Sequence, residues 1–489
     1  MKEEKKKNIL FILPDQMRAD FLGCYGAEFA KTPTIDELAE DGILYLNCVS
    51  PSPICVPARA SLLTGLNALE NGVINNDVWL REDHEKCGMK GWPKILSQNG
   101  YDTIAVGKMH FYPWDAMEGF SKRIICEDKR HYLVEDDYAD YLEFHGLCKY
   151  RGIDQKDYQS NGGAFMNPHP KGMQADDWIS DRACDYLKSY SGEKPFAMMV
   201  GFVSPHDPYD PDKTYYDLFK DADIPDAIEE TEESKSFRDW LVKAYKLPWC
   251  GMDYSNFTIE QKRMIRRCYA ALNYHIDLCV KKILKTLKET GHIDDTVIIF
   301  SSDHGDFVGD YSLVGKCLAY EPSAHVPLIV KDPTDIKRAQ IVTSPVSLTD
   351  VRATILNIAG IDRHETDSSI TLPKCEEEAD KERCIFSATD SNISIRYRSY
   401  KLSRYNNGQV HLFDLNEDPK ELINRAHDES YKEILMMMDE KLQITLFKSL
   451  KNANSDKNVT TTLNPRPGEY FNRQWDRPYP VDNSDSFYK

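Results

Sequence analysis

The sequence has no C-x-x-C pair, no apolar run long enough to span a bilayer, no excess of basic residues and no internal repeat. Each absence excludes a class of protein. Thirteen cysteines, an odd number scattered without pairing, do not read as a disulfide framework and fit reduced thiols in a reducing compartment. A formal net charge of −18 disfavours nucleic acid and anionic membrane as partners, because both repel an acidic surface that lacks a basic patch. Lys5, Lys6 and Lys7 precede Ile9-Leu10-Phe11-Ile12-Leu13, but this apolar run is short, ends at Pro14-Asp15 and lacks a small-residue cleavage site, so it reads as a first strand rather than an export signal. We therefore expect a cytoplasmic protein with no nucleic-acid or membrane partner. With no Ser, Gly or Gln tract, and with 41% hydrophobic and 11% aromatic residues, the chain is not a disordered one. Its 489 residues exceed one ordinary core and predict a large domain with a smaller one.

What is present is alternation. Residues 8–13, 103–106, 197–203 and 296–301 read as strands, and residues 35–41 and 60–66 as helices or helix starts. Between Glu260 and Gly291 apolar residues step by threes and fours, which predicts a long amphipathic helix ended by the glycine. Strands alternating with helices imply an α/β fold, a largely parallel sheet wrapped by helices. Residues 341–361 supply one more strand and helix. Composition then turns polar and acidic over residues 367–381, where we place the boundary between a catalytic domain, 1–370, and a smaller α+β domain, 371–489. In the latter, 384–388, 393–397, 400–404 and 409–413 read as antiparallel strands, 429–450 as a covering helix, and 454–489 as a tail that wraps the surface. Residues 118–174, rich in Tyr, Asp, Lys and His without a period, read as an insertion near the site.

The polar residues that follow strands are the candidates for function, because ligands of open α/β sheets sit at the carboxyl ends of strands. Asp15-Gln16 follows the first strand, and Asp303-His304 follows the strand at 296–301. Carboxylates, an amide oxygen and an imidazole together suit a hard divalent cation such as calcium, magnesium or manganese. Lys108 and His110 in Gly107-Lys108-Met109-His110, His206 in Ser204-Pro205-His206-Asp207, and Lys316 after Gly315 form a basic set. A lone Lys is most often a solvated charge and a lone His a structural one; their shared position past strand ends changes that weighting. A free cysteine is usually a small buried hydrophobe, but Cys55 stands in Cys55-Val56-Pro57-Ala58-Arg59, followed by Thr64-Gly65.

Those residues resemble the signature of the sulfatase family, Cys-x-Pro-x-Arg followed by Thr-Gly, and the resemblance runs through five motifs from Asn8 to Ile361 and again at Leu412-Phe413-Asp414-Leu415-Asn416-Glu417-Asp418-Pro419. It implies an alkaline-phosphatase-like fold, a large sheet between helices with a smaller C-terminal antiparallel sheet and helix domain. It also implies a sulfate monoester as substrate, here expected to be a sulfated sugar. Cys55 would be oxidised by a formylglycine-generating maturation enzyme; one oxygen of the hydrated aldehyde would attack sulfur, and loss of the other's proton would expel sulfate. The family pattern maps Asp15, Asp303, His304 and an oxygen of residue 55 onto metal ligands, with Gln16 where an aspartate is frequent, and makes Ca2+ the first choice over Mn2+ or Mg2+. It assigns Arg59 to holding the nucleophile, Lys108 and Lys316 to stabilising charge on the transferring group, and His110 and His206 to the base and acid roles, which are interchangeable at this stage. Asn76 matches a loop amide that faces the substrate in some relatives. His325 stands where many relatives have Arg. Relatives with the same signature hydrolyse phosphonate monoesters and phosphodiesters, which is the alternative activity; a non-catalytic anion-binding relative is the third reading.

Overall fold

The computed structural model describes residues 6–335, 339–362 and 368–454. The first strand, Asn8–Asp15, is buried along its whole length. Such a strand has no solvent face and must lie inside a sheet covered on both sides. It pairs in parallel with Phe196–Pro205 on one side and Thr296–Ser301 on the other. Across the eight-stranded sheet the order is Gln340–Val342, Ile43–Tyr45, Leu328–Lys331, Thr296–Ser301, Asn8–Asp15, Phe196–Pro205, Asp102–Gly107 and Lys122–Ile125. Leu328–Lys331 runs antiparallel to both neighbours, and the other pairings are parallel.

Side chains of the first strand alternate between two cores. Leu10 and Ile12 pack with Ile35, Ile179, Ile276 and Ile283, from helices Pro33–Asp41, Ala175–Ser189 and Ile259–Glu289. Ile9, Phe11 and Leu13 pack with Leu62, Leu96 and Ile355, from helices Cys55–Thr64, Trp92–Gln98 and Asp350–Ile358. The long helix ends where expected, just before Gly291 at φ 78°. The helix expected to open at residue 60 instead begins at Cys55, because Pro57 falls in its first turn, where the missing N–H removes no intrahelical bond.

Residues 385–414 form a four-stranded antiparallel sheet, Ile385–Ala388, Asn392–Tyr397, Tyr400–Tyr405 and Val410–Asp414, in sequential order. Helix Lys432–Ala453 covers one face through Met438 and Leu442 against Ile395, Leu402 and Leu412. From the same sheet, Tyr405 and Phe413 enter a core with Tyr311 and Tyr320 of the large domain. Residues 118–174 supply the edge strand Lys122–Ile125 and the helix Asp137–Phe144. Of the expected surface tail, 454–489, all but Asn454 lies outside the described residues.

Candidate active site

Four strand ends and one helix start converge on Cys55. The helix Cys55–Thr64 has no side-chain cap from its own N-cap residue, Ile54; the amide oxygen of Asn76 accepts the Val56 N–H at 3.0 Å instead. Cys55, entirely buried, thus lies at the positive end of the helix dipole. The strand pair Asp102–Gly107 and Phe196–Pro205 brings in Lys108 and His206. Its close approach requires glycine: Gly107 has φ 88°, and a Cβ there would meet the Gly201 carbonyl at 2.1 Å.

Arg59, one turn into the helix, ties two strand ends together. Its Nη2 donates to Asp15 Oδ2 and its Nε to Asp303 Oδ2, both at 2.8 Å, and its Nη1 donates to the Lys108 carbonyl at 2.9 Å. Lys108 Nζ lies 3.0 Å from Asp15 Oδ2 and donates to Asp128 Oδ2 at 2.7 Å. Lys316 Nζ lies 3.0 Å from Cys55 Sγ, 2.5 Å from Gln16 Oε1 and 2.7 Å from His206 Nε2. His304 places Nε2 3.1 Å from the same sulfur, while its Nδ1 faces the Gly305 carbonyl at 2.8 Å. That carbonyl accepts only from an N–H, so Nδ1 carries a proton and Nε2 is the nitrogen turned to Cys55, presenting an N–H when the imidazole is protonated and a lone pair when it is neutral.

Ligand atoms of Asp15, Cys55, Asp303 and His304 lie within 4.8 Å of one another, all on buried residues. Two carboxylates and an imidazole with its lone pair directed inward fit a divalent cation. Gln16, at φ 67°, turns its amide oxygen to Lys316 and its Nε2 to Asp306, with Asp207 Oδ1 at 3.5 Å. In this arrangement the Gln16 amide serves the lysine. The Asn76 oxygen likewise serves the helix start.

The charges are arranged against burial. Desolvation would push the Cys55 thiol up, yet Lys316, His304 and Lys108 hold it well below the ordinary thiol range. Burial and the neighbouring Cys55 both oppose charge on Asp15, and Lys108, His206 and Arg59 overcome them, keeping its carboxyl below the ordinary range. An oxygen nucleophile or an anionic ester in place of the thiolate would meet the same cations.

His206 faces the Asp207 carbonyl with Nδ1 at 2.6 Å and the cations with Nε2. His110, at φ 58°, is held by Glu127, whose carboxylate accepts the His110 N–H at 3.1 Å; its buried Nδ1 has no hydrogen-bond partner among the described residues. The His110 ring is 5.8 Å from that of Tyr112 and 5.4 Å from that of His131. Nine of the expected residues, Asp15, Gln16, Cys55, Arg59, Lys108, His206, Asp303, His304 and Lys316, are therefore linked in one network. Sequence reasoning missed Glu127, Asp128 and Arg130, which enter from residues 118–174, together with Asp207 and Asp306. The signal that could have found the first three is the strand Lys122–Ile125 just before them, but it is a four-residue edge strand without alternation.

A family model described as Sulfatase matches residues 7–361, and one for the C-terminal part of N-sulphoglucosamine sulphohydrolase matches residues 309–447. An arylsulfatase of Clostridium perfringens is 29% identical over 459 residues, covering 88% of this chain and 92% of the relative. An N-acetylglucosamine-6-O-sulfatase of Bacteroides thetaiotaomicron is 25% identical over 512 residues, covering 90% and 86%. The crystal structure of a phosphonate monoester hydrolase of Agrobacterium radiobacter superposes with a TM-score of 0.78 at 24% identity, covering 94% of this chain and all of that one; it shows the alkaline-phosphatase-like fold. With the larger model covering most of the chain, and the site built from the residues of its signature, this protein belongs to the sulfatase family and is a hydrolase of sulfate esters.

Proposed function

We propose that the chain hydrolyses a sulfate monoester of a sugar, with Cys55 oxidised to formylglycine by a maturation enzyme and with Ca2+ bound between Asp15, Asp303 and His304. The observation that carries this reading is the placement of residue 55 at a helix start, 3.0 Å from Lys316 Nζ and 3.1 Å from His304 Nε2. A thiol has no second heteroatom to expel the bound sulfuryl group, whereas a hydrated aldehyde there has one oxygen to attack and another to collapse.

In the proposed reaction one diol hydroxyl, ionised beside Lys316 and Lys108 with its proton released to solvent, attacks sulfur; the ester S–O bond breaks, and the departing alkoxide takes a proton from His206 in its protonated form. The His206 Nδ1–H is held by the Asp207 carbonyl, so Nε2 is the position that exchanges protons; without substrate it accepts from Lys316 and Arg130, and it takes up the proton it donates once those cations turn to the substrate's oxygens. His110, with an unpartnered Nδ1, then removes the proton of the second hydroxyl; the aldehyde re-forms and sulfate leaves. Lys108 and Lys316 stabilise charge on the sulfuryl oxygens, and Arg59 fixes the two carboxylates. When bound, the cation would supply further positive charge to the nucleophile's oxygens. A sugar as leaving group is supported by the exposed aromatic rings at the site, Tyr112 beside His110 and Trp249 beside Arg130, and by the name of the Bacteroides relative. A reducing, cytoplasmic setting is supported by thirteen cysteines with no disulfide among them.

The test is turnover by protein co-produced with a maturation enzyme and shown by peptide mass to carry formylglycine at position 55. Release of sulfate from members of a sulfated-sugar panel is expected. A much higher kcat/KM on an aryl phosphonate monoester than on any sulfate ester would overturn the reading.

A further inference from the structure

The cations at the site extend beyond those that surround Cys55. Arg130, shortly after the edge strand, donates from Nη2 to His206 Nε2 at 2.9 Å and to Asp128 Oδ2 at 3.0 Å, and from Nε to Asp128 Oδ1 at 3.1 Å. Asp128 is shared with Lys108, so it does not by itself account for this guanidinium. The remaining nitrogen, Nη1, makes no hydrogen bond among the described residues. Asp207 Oδ2, which has no hydrogen-bond partner among the described residues, lies 3.7 Å from it, within ion-pair range. The Arg130 side chain is 12% exposed, and its guanidinium lies 4.8 Å from the ring centroid of Trp249, a residue 42% exposed.

Arg130 is thus anchored along one edge, free of hydrogen bonds from the described residues along the other, where Asp207 pairs with it only at 3.7 Å, and seated on a partly exposed indole. Anchoring removes the rotamer entropy that normally weakens a surface arginine, and the aromatic face offers a platform for a ring carrying the anion. We propose that Arg130 and Trp249 form a subsite for a second anionic group of the substrate, a sulfate, sulfamate or carboxylate close to the ester that is cleaved. The inference rests on the sulfate-ester reading above. Arg130 Nη1 donates to the added oxyanion, and Trp249 packs on the ring that bears it.

Matured full-length enzyme is to be assayed with phenyl sulfate against its three carboxyphenyl analogues, and with a monosulfated against a disulfated glucosamine. For each pair the ratio of kcat/KM, dianion over monoanion, is compared among wild type, Arg130→Gln, Arg130→Lys and Trp249→Ala. For at least one pair the ratio is expected to fall about 10- to 100-fold in Arg130→Gln, the range of one charge-assisted hydrogen bond, mainly through KM. Arg130→Lys should recover part of it, and Trp249→Ala, at an exposed position, should lower it without unfolding the protein. An equal loss on mono- and dianionic esters would overturn the proposal, since Arg130 would then act only through His206 or the sulfuryl group. Unchanged ratios in every variant would overturn it as well. Silence on all esters by formylglycine-bearing protein counts against the proposed function instead; calorimetric binding of the same pairs to wild type and Arg130→Gln then makes the comparison.

Discussion

Cys55 owes its character to its neighbours. Of thirteen thiols, several that are buried among apolar residues, such as Cys48 and Cys268, are pushed well above the ordinary thiol range by that burial. Cys55 is as buried and shifts the other way, because Lys316, His304 and Lys108 surround it. Cys55→Ala should lower kcat by at least about 10⁴-fold and change stability by less than about 1 kcal/mol, since a small side chain replaces a small one. Asp303→Ala should behave differently. It leaves the buried Arg59 with one carboxylate instead of two, at a cost of about 3 kcal/mol or more, and should also weaken cation affinity. Urea unfolding and calcium titration of the two variants check both statements; equal destabilisation would contradict the assigned roles. At this scale the sequence was informative, because Cys55, Arg59, Asp15 and Asp303 stand in short motifs at strand or helix ends. It was silent where a contact joins distant segments. Nothing near His325 in the chain indicates that Arg396, from the small sheet, pairs with Glu321 at 3.2 Å and donates to Asn47 Oδ1 at 2.8 Å.

At the scale of elements, the helix Cys55–Thr64 is held at its start by an amide from outside it. Asn76→Ala should remove that cap and cost about 1 kcal/mol, with a modest fall in kcat and little change in KM. Thermal unfolding and steady-state kinetics check this; a rise in KM with unchanged stability would return Asn76 to a substrate-binding role. The strands and the long helix were legible because their periods are clear: Thr296–Ser301 is apolar throughout, and the steps between Ile265 and Leu287 are helical. The helix start at Cys55 was placed late, since its first five residues carry no apolar period and include a proline. The edge strand Lys122–Ile125 escaped notice for the reason that makes it an edge, partial burial on both faces. Its neighbours Asp128 and Arg130 were hidden with it, so the inner site was legible and its outer rim was not.

For the molecule as a whole, stability should depend on two conditions outside the chain. Chelation should lower the melting temperature and abolish turnover, and calcium should restore both; at a free concentration of 100 Kd, a bound ion adds about 2.7 kcal/mol. The second condition is pH. His411, on the small sheet, is enclosed by the rings of Phe237, Tyr320, Tyr405 and Phe413, and burial, with Lys401 nearby, brings its pKa down to about 4. A histidine kept neutral in the folded state stabilises above its unfolded value, near 6.5, and that contribution is lost as pH falls towards 4. The stability difference between wild type and His411→Phe should therefore be constant above about pH 7 and shift against wild type between pH 6.5 and 4, as read from urea unfolding across that range; a pH-independent difference would refute it. The same sheet reaches the site: Asn392 Nδ2 donates to the Cys317 carbonyl at 2.8 Å, next to Lys316. Residue 55 emerges from the ribosome hundreds of residues before this brace and ends with no exposed surface. On the proposed chemistry, an oxidising enzyme can reach that thiol only during the interval of synthesis before the chain closes over it, so the yield of active protein is set by a race between modification and folding.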